Sequence, residues 1–310
     1  MALNFSRIAI VGSGALGCYY GARFERARPG TVNFLMRSDL ETVQRDGMTV
    51  KMPGEMFWLS QVSAFARSED IGPCDLVVVA LKTTANAQLD ELIRPLLAEH
   101  TTILTLQNGL GSDEQLATLF GARRICGGLC FVCVNRLAPG EIECRELGSV
   151  SVGEFARNRG EQARAIDELF TLAGVKCLVG DDLAELRWRK LVWNIPFNGL
   201  AIAAGGITTD LILADPKLEE TVRDLMLEVV TAAGKMGHEI PLYFIDQQIE
   251  NTRRMGAYKP SSLIDYLAGK EVELESIWGE PLRRAKRAGA EMPRLEWLYQ
   301  AILELTRQRA

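Results

Sequence analysis

The run Arg7-Ile-Ala-Ile-Val11 passes directly into Gly12-Ser-Gly-Ala-Leu-Gly17, and Cys18 to Arg26 then reads as a helix. A short run of Ile and Val suits a strand buried on both faces, the condition of a parallel sheet. A buried strand that must become a helix within six residues leaves few folds open. Each glycine has a physical reason to be where it is. Gly12 permits the tight turn. Gly14 lets the backbone approach a pyrophosphate at the helix N-terminus, where free N–H groups favour anions, and Gly17 lets helix pack on strand. The G-x-G-x-x-G spacing between strand and helix is a dinucleotide-binding fingerprint, so Gly12, Ser13, Gly14, Ala15, Leu16 and Gly17 are candidate cofactor residues. The bland alternative is a glycine turn with no ligand, and the strand–helix context weighs against it.

The pattern continues as alternating strands and helices. Thr31 to Met36 is the second strand. An enzyme that prefers NAD carries an acid at its end for the ribose hydroxyl; this chain has Arg37-Ser38, which suit a 2′-phosphate and point to NADP. Two alternatives stay open here: Arg37 as a plain surface charge, and Asp39 reaching a ribose as in NAD enzymes. Gly47 to Val62 alternates around Pro53-Gly54 and predicts a hairpin. Asp75 to Leu81 predicts a strand ending at Lys82, Thr84 to Leu97 is amphipathic and predicts a helix until Pro95, and Thr101 to Leu106 predicts a strand ending at Gln107-Asn108-Gly109. The ends of these strands would bring the glycines, Arg37, Lys82 and Asn108 to one edge of one sheet, where open α/β folds bind ligands. Cys126, Cys130 and Cys133 have the spacing of an iron–sulfur motif, but they sit in a strand-like run that would point Cys130 and Cys133 to opposite faces. They read as small buried hydrophobes. Ile142 to Gly153 suggests two short strands, Glu161 to Leu172 a helix and Val175 to Val179 the last strand.

From Asp181 onward strand signals cease. Long amphipathic helices are expected over Pro216 to Met236, Tyr243 to Arg254, Ile277 to Ala288 and Leu295 to Arg307. This predicts a domain of residues 1–180 that binds the dinucleotide and an all-α domain of residues 181–310 that binds the substrate. In the stretch Arg187 to Asn198, Lys190, Asn194 and Asn198 recur every four residues within an apolar run. On a helix that makes a polar stripe, costly to bury without partners. One ammonium and two amides would hold a small polar molecule. Otherwise Lys190 snorkels to solvent and the asparagines cap or turn the chain. Pro196 should kink or end the helix nearby. Lys190 lies just past the domain boundary, at the seam where small-molecule pockets form, and a hinge near residue 180 is expected.

The length of 310 residues supports two cores, and a net charge of -5 argues against nucleic acid or an acidic membrane as partner. No apolar run reaches the roughly 18 residues of a membrane span, and seven cysteines without a signal segment read as reduced thiols, so a cytoplasmic protein is expected. A homodimer is the assembly kept in view. Of two histidines, His100 and His238, neither sits at a strand end or beside Lys190, so no histidine acid and no metal site are expected.

With these residues in view the chain resembles the ketopantoate reductase (2-dehydropantoate 2-reductase) family over nearly its whole length. The resemblance rests on Gly12 to Gly17, Leu81-Lys82, Gln107-Asn108-Gly109, Trp188-Arg-Lys-Leu191 with Asn194 and Asn198, and Lys259-Pro-Ser-Ser262 with Gly269 to Glu275. It implies an α/β Rossmann-type dinucleotide-binding domain followed by an all-α domain. The implied reaction is reduction of ketopantoate to pantoate by NADPH, on the route to pantothenate and coenzyme A. It also implies Lys190 as general acid, Asn194, Asn198 and Ser261 as substrate-binding residues, and Asn108 touching both cofactor and substrate. Arg37, Lys82 and Glu273 match cofactor contacts. The chain departs from the family pattern after Asn198, where Gly-Leu follows, and at Thr208, where the family has an asparagine. Reduction of another branched 2-keto acid and a non-catalytic NADPH sensor are the alternatives; a sensor would have no need of Lys190 with both asparagines.

Overall fold

The computed structural model describes residues 4–157 and 160–309. They divide into two compact units, one within Met1–Gln107 and Ser112–Leu183, the other within Asn108–Gly111 and Ala184–Ala310. The fold is that of a Rossmann-like sheet domain followed by a helical one.

The first unit holds a ten-stranded sheet. Its strands are β1 (Ile8–Val11), β2 (Val32–Leu35), β3 (Met48–Met52), β4 (Glu55–Leu59), β5 (Ser63–Phe65), β6 (Cys74–Val79), β7 (Leu97–Thr105), β8 (Ile125–Ala138), β9 (Glu141–Glu154) and β10 (Lys176–Val179). Their order is β4-β3-β9-β8-β7-β6-β1-β2-β5, with β10 on β9. The helices are α1 (Ala15–Ala27), α2 (Leu40–Asp46), α3 (Ser68–Ile71), α4 (Leu89–Ile93), α5 (Ser112–Phe120) and α6 (Glu161–Leu172). Both faces of the central strands are buried. Ile8, Ile10, Leu76 and Val78 join one apolar cluster with residues of α1 and α6, while Ala9, Val11, Val77 and Val79 join another with residues of α4 and α5. That is why these strands read as unbroken apolar runs.

Register aligns the ends of four strands. Val11 stands opposite both Leu35 and Val79, and Val79 opposite Thr105, all in parallel pairs. The carboxyl ends of β1, β2, β6 and β7 are therefore flush, and the chain leaves the sheet at one edge as Gly12, Met36, Ala80 and Leu106.

Three local expectations change. The helix over Thr84 to Leu97 is instead a 3₁₀ turn (Thr83–Gln88), α4 and a second 3₁₀ turn (Arg94–Leu96). The break near Pro95 is the expected one, since proline lacks a donor for a continuous ladder, and what changes is the 3₁₀ turn before α4. The Asn86 amide meanwhile bonds Gln107 at 2.7 Å and Gln115 at 3.0 Å, drawing its turn to the end of β7. The two short strands expected over Ile142 to Gly153 are one strand, β9, antiparallel to an equally long β8. Register shifts near Cys133 and between Arg136 and Ala138 bend this hairpin, and its outer half pairs with β3 and packs on α1.

The second unit contains α7 (Leu183–Ala203), α8 (Thr209–Ala214), α9 (Pro216–Lys235), α10 (Tyr243–Met255), α11 (Ser261–Leu267), α12 (Glu280–Arg287) and α13 (Pro293–Arg307), with a π-helical turn at Glu275–Gly279. The third concerns Pro196, expected to kink or end its helix: it does not end it, and α7 runs on to Ala203. A proline inside a helix costs about 3 kcal/mol. Burial of Leu191, Val192, Ile195, Phe197, Leu200 and Ile202 outweighs it, at about 1.5–3 kcal/mol for each large side chain. The Ile195 carbonyl beside the proline also accepts a bond from Trp278 Nε1 at 3.0 Å. No helix of the described residues is long and apolar enough to cross a membrane.

Trp278 is fully buried and ties the π-helical turn to α7. Trp278→Phe is expected to lower the unfolding free energy by about 2–4 kcal/mol, through lost volume and the lost bond. Urea unfolding reads this, and an unchanged midpoint would mean that Trp278 does not hold the turn on α7.

Candidate functional site

The glycine turn of the first unit is built around close approaches. Gly12 has φ +105°, and a Cβ on it would lie 2.4 Å from Leu81 N; one on Gly17 would lie 2.1 Å from Gly12 O. No side chain fits at either place. Gly14 differs, since a Cβ there would meet no atom within 4 Å. The turn is thus packed on the sheet side and open at Gly14. Helix α1 starts at Ala15 with no acidic residue in its first turn and no side-chain cap, and its ladder begins with Cys18 N on Gly14 O at 3.0 Å. Its leading N–H groups have no helical acceptor. Open backbone, unbonded donors and the positive end of a helix fit a dinucleotide pyrophosphate. The Ser13 hydroxyl is turned to the Leu35 carbonyl at 2.7 Å, so this side chain fixes the turn to β2.

At the end of β2, Arg37 is exposed and makes no hydrogen bond or ion pair among the described residues. Ser38 is exposed as well, and Asp39 is buried against Arg136 at 2.9 Å. Lys82 is exposed after β6. Cys18, near the Gly-rich turn, is held as a neutral thiol: burial first, then the charge of Asp39, push it up to about 12.

In the second unit, Lys190 of α7 is half-buried and its Nζ donates to Asn108 Oδ1 at 2.8 Å. Asn108 is held in a short loop whose Leu110 N–H donates to Ser276 O at 2.9 Å. A Cβ on Gly109 would lie 2.2 Å from the same carbonyl, so the loop lies directly on the π-helical turn. Ser276 Oγ in turn donates to the Glu273 carbonyl at 3.3 Å. Lys190, Asn108 and the backbone of Glu273 are thus joined by one run of short contacts. A π-helical turn often marks such a place, because it re-aims the residues before it.

The two asparagines on α7 part company. Asn198 is 1% exposed, and its Oδ1 accepts the Ser262 N–H at 3.0 Å, at the start of α11. Its Nδ2 has no protein partner among the described residues. Asn194 is 7% exposed, and neither atom of its amide has one. The Ser262 hydroxyl, on a residue 3% exposed, is in the same condition, whereas Ser261 is exposed. So of the two serines it is Ser262 that turns inward beside Asn198. Spacing contained this signal: Ser262 shares the buried face of α11 with Leu263 and Tyr266, and Ser261 is in line with exposed Ile264. Asn86 and Arg136 carry no comparable sequence signal. Among the described residues, no group of three or more His, Cys, Asp or Glu side chains is placed to hold a metal ion.

Both units match known families. Residues 8–157 match the family model described as ketopantoate reductase PanE/ApbA, and residues 182–306 its C-terminal counterpart. A 2-dehydropantoate 2-reductase of Nostoc sp. is 39% identical over 96% of this chain and 94% of the relative. A crystal structure of 2-dehydropantoate 2-reductase from Geobacter metallireducens superposes with a TM-score of 0.94 at 45% identity, covering 98% of this chain and 100% of that one. That of Methylococcus capsulatus gives 0.90 at 28%, covering 98% of each.

Asn198 bridges α7 and α11. Asn198→Ala is expected to cost about 1–3 kcal/mol, because the Ser262 N–H loses its acceptor. Thermal unfolding of the ligand-free protein checks this; an unchanged midpoint would mean that the bond holds nothing in place.

Proposed function

Because the chain belongs to the ketopantoate reductase family, we propose that it reduces 2-dehydropantoate (ketopantoate) to pantoate with NADPH, with Lys190 as the general acid. The observation that carries this reading is the ammonium of Lys190 beside the buried amide of Asn194, which has no protein partner among the described residues. A bound nicotinamide would supply the hydride. The residues of this chain do the rest. The packed Gly12–Gly17 turn and the start of α1 hold the pyrophosphate, and Arg37, Lys82 and Glu273 are assigned further cofactor contacts.

A 2-keto acid offers a carboxylate, a ketone oxygen and, in ketopantoate, a hydroxyl. Asn194, the free Nδ2 of Asn198 and the Ser262 hydroxyl supply donors for these oxygens, and Ser262 takes the part that the family pattern had suggested for Ser261. Negative charge grows on the ketone oxygen as the carbonyl carbon is reduced. Lys190 stabilises that charge and donates a proton to the oxygen. Asn108 Oδ1 fixes the direction of Nζ before substrate arrives, so little reorganisation is needed at the moment of reaction.

A second substrate is favoured by one observation. Thr208 stands where the family has an asparagine, and its hydroxyl is bonded to Asp210 at the start of α8. A recognition group present in the family is therefore absent here, which suits another branched 2-keto acid on the same machinery.

The test is NADPH oxidation with ketopantoate beside a panel of branched 2-keto acids. Lys190→Ala is expected to lower kcat by about 10²- to 10⁴-fold. NADPH binding, followed by fluorescence, should stay within about twofold because the acid acts on the substrate. Full activity in Lys190→Ala would remove Lys190 from the mechanism, and a wild type inactive with every 2-keto acid would remove the reaction.

A further inference from the structure

The end of β2 carries an acid as well as Arg37, and an acid near this position is what binds the ribose hydroxyls of a non-phosphorylated cofactor. The structure shows what has become of it. The side chain of Asp39 is 5% exposed. Arg136 Nη1 lies 2.9 Å from one carboxylate oxygen and 3.0 Å from the other, and Ser38 Oγ donates to the first at 2.8 Å. Arg136 comes from the outer half of β8, far along the chain, and reaches Asp39 because the bent β8–β9 hairpin packs on α1. Arg37, one residue before Ser38, is exposed and has no partner among the described residues. The strand end thus holds two cations against one anion, with the anion turned inward.

We propose that the Arg136–Asp39 ion pair sets the preference for the 2′-phosphorylated cofactor, by masking the Asp39 carboxylate so that Arg37 meets the ribose substituent. This rests on the NADPH reading above. A 2′-phosphate carries roughly -1.5 to -2 charges at neutral pH, by analogy with other phosphate monoesters. An unmasked carboxylate beside it would repel it, and the same carboxylate would accept hydrogen bonds from a free ribose diol. Arg136 is on this account a positioning residue, which acts through Asp39. The field of both groups at the Cys18 thiol places the pair close to the Gly-rich turn.

The test is equilibrium binding of NADPH and NADH to the purified protein, followed by nicotinamide fluorescence, with adenosine 2′,5′-bisphosphate and AMP as fragment probes in calorimetry. Arg136→Gln is expected to weaken NADPH by about 10- to 100-fold and to leave NADH within about threefold or tighter. The bisphosphate should weaken against AMP in the same sense. Adding Asp39→Asn should restore most of the NADPH affinity, because no acid is left to mask. Equal losses for both dinucleotides in Arg136→Gln would overturn the proposal and leave the pair as a brace for the hairpin. A double variant as weak as the single would also overturn it. If Arg136→Gln does not fold, Asp39→Asn alone decides: NADPH affinity held or raised supports masking, and a selective loss of NADPH sinks it. A wild type that binds NADH as tightly as NADPH removes the cofactor reading itself, whatever the variants do. A wild type that prefers NADPH, with variants that keep its ratio, removes only the masking.

Discussion

A helix buried on nearly every side does not ordinarily carry an ammonium and two amides. In α7, Lys190, Asn194 and Asn198 lie among Leu191, Val192, Ile195 and Phe197, all essentially excluded from solvent. Much of the second unit answers that constraint. The loop of Asn108 is drawn onto the π-helical turn and gives Lys190 an acceptor. The start of α11 gives one to Asn198 in reverse, through the Ser262 N–H. Asn194 is left with nothing from the protein. Two members of the stripe thus have a bond within the protein, and the amide of the third is left for the ligand proposed above.

The first unit works by a different constraint. There the polar groups that matter are backbone N–H donors, and what places them is strand register. Because Val11, Leu35, Val79 and Thr105 are paired in line, the segments after four strands start at one level. The glycines then decide which atoms come forward. Backbone contacts as close as those at Gly12 and Gly17 exclude any side chain, while Gly14 stays open. On the proposed reading, binding and proton chemistry fall to elements with different physical demands: a rigid sheet edge for an anion, and a polar stripe on a buried helix for a small acid.

How far the sequence could be read follows from how local each signal is. The β1–turn–α1 start, the hairpin around Pro53-Gly54 and the long helices of the second unit rest on patterns contained within the element itself, and these are legible. Where the outcome depends on a distant partner, they are not. Pro196 signals a kink or an end to α7, but a continuous core on both sides of it keeps the helix going. The β8–β9 hairpin reads as short pieces because its bulges break the alternation, although its hydrogen-bond ladder resumes beyond each of them.

Asp39 takes that lesson to the level of chemistry. The residue type at the end of a second strand is commonly taken as a sign of the cofactor, yet here Arg37, Ser38 and Asp39 give opposite signs within three positions. Burial and pairing order them. An arginine that is exposed and unbonded is available to a ligand, whereas an aspartate with both oxygens occupied is not. The same criterion separates Asn194 from the Oδ1 of Asn198, and Ser262 from Ser38. In each pair the residue types are alike, and the difference is whether the protein has already used the group. A motif supplies the inventory of groups, and the packing around it determines which of them remain to do chemistry.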